Sequence, residues 1–253
     1  MRALRDRRSA ASDRVLAADL AGDVTVMNDE VADLLLSIVQ SADEPGRLRA
    51  RAAISLGPAL EEADTQGYDD DFVEPSISSA MFKRIQATLR RIHDDEDAPK
   101  EVRRRVLEAS VRSPQDWHKD AIRAAYSSDD EDWKLTAVFC MGWIRGFDAQ
   151  ILEMLKSRNP DIHCEAVRAA GNWELDAAWP HVAALIGSET TEKSLLLAAI
   201  EAAASIRPEE ARPVLTGLAA SEDGEIAEAA SEALLEPGYD EDDDEDEDED
   251  SRF

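Results

Sequence analysis

The residues best suited to chemistry are four histidines, His93, His118, His163 and His181, and two cysteines, Cys140 and Cys164. No His-x-x-x-His, Cys-x-x-Cys or His-Glu pair occurs, so ready-made ligand spacing for a metal ion is absent. In "HCE", His163 and Glu165 would point about 200° apart on a helix, too far to share one ion. Cys164 has no His or Lys at helical spacing to make a thiolate, and Cys140 falls where a core residue belongs. The glycines form neither a GxGxxG nor a GxxxxGK loop. The acidic runs at 94–97 and 129–132 lack the glycine and terminal glutamate of a calcium loop, and read as helix-capping turns. The expectation is a protein without catalytic residues, metal or cofactor, and not an enzyme.

These residues sit on a repeating frame. Six segments carry apolar or small residues at positions 1, 5, 8, 9 and often 12, starting at Leu48, Val102, Trp133, Ile162, Leu195 and Ile226. Their spacings are 54, 31, 29, 33 and 31. Those steps lie on one face of an α-helix, and small residues at 5 and 8 let neighbouring helices approach closely. A second helical stretch precedes each, as in "WPHVAALIGS" and "RPVLTGLAAS", which align Pro180 with Pro213 in a first turn. Between the two sit polar turns ("SDDED", "SRNPD", "SETTEK", "SEDGE") whose Asp, Asn and Ser can cap the second helix. The pattern predicts an all-α chain, an α-α superhelix of about six helical pairs in a right-handed stack.

The segments "LRARAAISLG", "IHCEAVRAAG" and "LLLAAIEAA" resemble the HEAT-repeat family, in particular its short bacterial-type, phycocyanobilin-lyase-like branch. The resemblance is strong over 115–236 and fair over 30–112. It implies a HEAT-like solenoid spanning 1–238, with Ser12–Leu20 and Glu225–Leu235 as end caps. The long first spacing departs from the family and holds an acidic loop insertion about 64–76. The family's arginine at position 2 is kept in Arg49 and Arg103 but becomes Lys134, His163, Leu196 and Ala227. The family resemblance also admits enzymes. Deoxyhypusine hydroxylases bind iron through paired His-Glu motifs, which this chain lacks, and related repeats attach bilins, for which no residue set is evident.

One repeat stands out. In "WKLTAVFCMGWI" the core face is Trp133, Ala137, Cys140, Met141 and Ile144, while Leu135, Phe139 and Trp143 form a second apolar stripe at positions 3, 7 and 11. Elsewhere those positions hold mostly polar groups, such as Arg104, Glu108 and Arg112, or Arg168 and Asn172. The stripe reads either as contact with an adjoining helix or as an aromatic partner-binding patch, rimmed by Arg112, Arg168 and Glu108. The second reading expects Phe139 and Trp143 to be substantially solvent-accessible on the concave side.

Charge narrows the partner. The net charge is −28, and eleven consecutive carboxylates run from Asp240 to Asp250, leaving −18 on residues 1–239. Such a chain repels nucleic acid and anionic lipid and favours a basic protein or peptide. Residues 239–253 are expected to be a disordered acidic tail, because like charges at that density bury nothing. No apolar run is long enough for a membrane span, the start lacks the apolar core of a secretory signal, and two cysteines suit a reducing, cytoplasmic setting. The reading is therefore a non-enzymatic interaction scaffold working through its concave surface. The alternatives are an acidic decoy or chaperone for a basic protein and, behind it, a bilin-handling or metal-dependent HEAT-repeat enzyme.

Overall fold

A computed structural model describes residues 2–68 and 75–235. The expected acidic tail, 239–253, and residues 69–74 of the acidic loop lie outside the described residues. Among the described residues every regular element is helical. The chain divides into two compact units, Met1–Phe147 and Asp148–Phe253.

The first unit contains α1 (Arg2–Arg5), α2 (Ala11–Leu20), α3 (Asp29–Gln40), α4 (Gly46–Ile54), α5 (Gly57–Gln66), α6 (Ser79–Asp94), α7 (Lys100–Ser110), α8 (His118–Tyr126) and α9 (Glu131–Met141). Helices α2, α4, α7 and α9 pack successively side by side, and α3, α6 and α8 pack behind their sequence partners. The second unit contains α10 (Asp148–Met154), α11 (Pro160–Asn172), α12 (Trp179–Ile186), α13 (Lys193–Ile206), α14 (Pro208–Leu218) and α15 (Gly224–Leu234). There α11, α13 and α15 form one layer, with α10, α12 and α14 behind it. The six segments with the recurring pattern are α4, α7, α9, α11, α13 and α15.

The polar turns cap the helices that follow, through the expected Asp and Asn in three turns and through a glutamate in the fourth. Asp130, Asn159, Glu192 and Asp223 each accept from backbone N–H groups at the start of the following helix. Lysines then tie successive turns: Lys100 Nζ donates to Asp130 at 2.8 Å, and Lys193 Nζ donates to Asp223 at 2.8 Å. Helix α11 ends with the N–H of Leu175 on Ala170 O and that of Glu174 on Gly171 O, both at 2.9 Å. Glu174 takes the left-handed backbone conformation, φ 51°, that this ending requires.

Three features depart from expectation. Helix α14 starts at Pro208, so Pro213 lies inside it and not in its first turn. The helix begins a turn earlier because Pro208 itself supplies the favourable first position. The 54-residue spacing is occupied by an additional helix, α5, which packs on α6 and α7, as well as by the loop. The ends of that loop are pinned where Tyr68 Oη donates to Ile77 O at 3.1 Å. A further pair, α1 with α2, precedes the six and packs on α4. At the opposite end Glu225, Glu228 and Glu232 are exposed, as a cap requires.

The family's arginine at position 2 has a structural explanation. Arg49 Nε donates to Val39 O at 3.0 Å and Arg103 Nε donates to His93 O at 2.9 Å. Each acceptor is the penultimate residue of the preceding helix, where backbone carbonyls lack helical partners. Arg14 makes the same reach to Leu4 O at 3.0 Å, which places α1 and α2 in the same register.

Candidate partner-binding surface

The aromatic stripe of α9 is neither open nor sealed: Leu135, Phe139 and Trp143 are each half-buried. The Phe139 and Trp143 rings lie 6.4 Å apart between centroids, tilted by 42°. The Arg112 guanidinium stands 4.8 Å from the Trp143 ring centroid. Arg112 is placed from below. Its Nη1 donates to Glu61 on α5 at 2.8 Å, and its stem crosses Gly57, where a Cβ would come within 2.8 Å of Arg112 Cδ. Its Nε is buried with no hydrogen-bond partner among the described residues. Stacking a weakly hydrated guanidinium face on an indole offsets part of that desolvation. The result is a layered set of Glu61, Arg112, Trp143 and Phe139 from α5, the end of α7 and the end of α9.

The remaining rim residues are placed differently. Glu108 is 3% exposed and belongs to the packing between α7 and α9. It accepts from Thr136 Oγ1 at 2.6 Å, and Thr136 in turn accepts from Arg104 Nε at 2.9 Å. Arg104, 8% exposed, also pairs with Asp132 at 3.1 Å. Positions 3 and 7 of α7 therefore carry a buried polar bridge to the next helix, not a surface charge. In α11 position 3 is Cys164, also buried. Arg168 lies in the second unit and pairs with Glu165 at 2.9 Å.

The expected core of α9 is confirmed for Ala137, Cys140, Met141 and Ile144, all buried, while Trp133 is half-buried. Trp133 instead lines a cleft of about 210 Å³ with His93, Arg103, Ala121, Ala124, Ala125 and Ser128. Arg103 stacks over its ring at 5.7 Å, so the residue that closes α6 also holds Trp133.

The histidines have distinct surroundings. His118 is fully buried; its Nδ1 accepts from the Gln115 N–H at 2.9 Å, so its proton is on Nε2, 3.0 Å from Ser110 Oγ. Burial, with the positive neighbours His93 and Arg90, pushes its pKa down to about 4. His163 is half-buried and does not reach back like the arginines in its slot. Its Nε2 meets Nε2 of His181 at 2.7 Å. Burial lowers the pKa of both, followed by the charge of His181 on His163 and of Lys156 on His181. Sequence spacing gave no hint of this pair, whose members are separated by a helix, a turn and a further helix start. Burial raises the Cys164 pKa, and its thiol sits 3.8 Å from Ser194 O, the surroundings of an inert sulfur. Among the described residues no three His, Cys, Asp or Glu side chains converge as a metal cage. No described helix is long and apolar enough to cross a membrane.

Residues 148–236 match the family model for HEAT repeats. No curated protein matches the sequence. Among solved structures, YibA of E. coli is 18% identical, with 92% of this chain and 78% of that chain covered, at a TM-score of 0.46. Human deoxyhypusine hydroxylase in complex with glycerol is 15% identical, with 91% and 80% covered, at a TM-score of 0.43.

Proposed function

We propose that this repeat protein is a non-enzymatic interaction scaffold that holds a basic protein or peptide, with Trp143, Phe139 and Arg112 as its anchor. The observation that carries the reading is the Arg112–Trp143–Phe139 stack. Tryptophan and arginine are the residues that most often dominate binding energy when a partner removes them from water. Here Arg112 is held in place by Glu61 and Gly57, the Trp143 ring stacks on it, and both remain half-exposed. A stack ordered before binding spends less conformational entropy on association. The net charge of −28 selects a cationic partner and speeds its approach. We place the protein in the cytoplasm, where buried thiols such as Cys140 and Cys164 stay reduced.

Capture of the native partner tests the reading. Phe139→Ala with Trp143→Ala should abolish capture, and Trp143→Leu, which keeps apolar bulk, should weaken it while leaving the melting temperature near that of the parent. Undiminished capture by both variants would remove the anchor. An acidic decoy gives a different result: its binding collapses between low and moderate salt and ignores both substitutions.

A further inference from the structure

We infer that His163 and His181 form a two-imidazole chelate for a late first-row divalent metal ion of Cu²⁺ or Ni²⁺ type, clamping α11 to α12. The two Nε2 atoms face each other at 2.7 Å, with ring centroids 4.9 Å apart. Each ring comes from the first turns of its own helix, His163 from α11 and His181 from α12. Both are half-buried, which restricts ring motion and leaves part of each residue accessible to solvent.

The separation is close to that of two ligands set at a right angle. Two ligands at the usual metal–nitrogen distance, set at a right angle, stand about 2.9 Å apart; at a tetrahedral angle they stand about 3.3 Å apart. The observed 2.7 Å therefore needs only a slight opening for square-planar or octahedral binding, and a larger one for tetrahedral zinc. Imidazole nitrogen is a preferred ligand for copper and nickel, and copper heads the affinity order.

Without metal, one Nε2–H donates to the other Nε2. On binding, that proton moves to Nδ1 of the same ring, so both Nε2 lone pairs face the ion and no net proton is released. Water completes the coordination. The nearby Lys156 charge opposes the ion and limits affinity.

The other histidines do not duplicate the site. His118 has both ring nitrogens engaged inside the core, and His93 Nδ1 lies 3.2 Å from Asp94.

The test uses the full chain with one equivalent of Cu²⁺ and pulsed electron paramagnetic resonance, which separates imidazole nitrogen from the carboxylate oxygens this acidic chain also offers. The parent should show two coordinated imidazoles. His163→Gln and His181→Gln should each lose the two-imidazole signature, and Ni²⁺ should raise the melting temperature of the parent but of neither variant. An oxygen-only signal in the parent, or a two-imidazole signal that survives either substitution, would overturn the site. Glutamine keeps the polarity and much of the bulk of each half-exposed ring. Should either variant still melt far below the parent, the parent's spectrum and nickel shift decide alone.

Discussion

The two units close the same helical architecture in different ways. Among the described residues every buried polar or charged side chain, from Arg14 and Glu44 to His118 and Thr136, lies in the first unit. The buried side chains of the second unit are apolar, with alanine prominent along α11 and α13. In the first unit, arginines at position 2 satisfy the carbonyls that end the preceding helix, and the Arg104–Thr136–Glu108 bridge joins α7 to α9. In the second unit the same position is His163, Leu196 or Ala227, and helices meet through small residues. A Cβ on Gly171 would stand 2.8 Å from Ala202 Cα. Hydrogen bonds fix which residues oppose each other but leave a costly orphan when one partner is lost. Close apolar packing has no orphan to leave, but it tolerates no added volume.

Substitutions at matched points break this contrast in order of size. The largest effect should come from Arg14→Met. Arg14 pairs with Glu44 through two nitrogens, the second at 3.0 Å, and the two residues are 6% and 8% exposed. Removing the guanidinium leaves a buried carboxylate supported by Arg7 alone, at 3.2 Å, and should cost about 3 kcal/mol by urea unfolding. The loss should shrink as pH falls. Hydrogen bonding from Arg14 holds the Glu44 carboxyl below the usual carboxylate range, so the stability it contributes is present above its unfolded pKa and lost as it protonates below.

A smaller effect is expected in the second unit from Gly171→Val, which must push α11 from α13 and should cost about 2 kcal/mol, with no such pH dependence. Gly171→Val at parental stability would mean that the small-residue contact is slack.

The smallest effect sharpens the comparison by moving the arginine device from one unit to the other. Arg103→Met should lose about 1.5 kcal/mol with its bond to His93 O. Ala227 stands in the same slot of α15, with Gly217 as the penultimate residue of α14. Ala227→Arg should therefore gain about 1 kcal/mol, read as a rise in urea midpoint. No gain there would show that the reach depends on more than register.

Much of the frame was legible before any coordinates. All six second helices fall where the recurring pattern put them, and Asp130, Asn159 and Asp223 cap where polar turns were read. The pair α1–α2 was legible only as one cap helix, because α1 is four residues long and offers no apolar period of its own. The register of Arg14 was its one usable signal. Glu108 misled because a carboxylate at a helical position is ordinarily a surface residue, and its burial depends on Thr136 in the following repeat.

The amino-acid sequence by itself determined the six helices that carry the recurring pattern, which of their faces are apolar, and where polar turns cap α9, α11 and α15. Those properties are local: they follow from the 3.6-residue period and from side chains bonding to backbone two or three residues away. Only the tertiary structure decided that Arg112 lies over Trp143, that Arg104 and Glu108 meet at Thr136, and that His163 faces His181. These contacts join different helices, and their partners are chosen by how far one helix slides and turns against the next. That registry is set by the volumes packed between helices, and no spacing within a single segment records it.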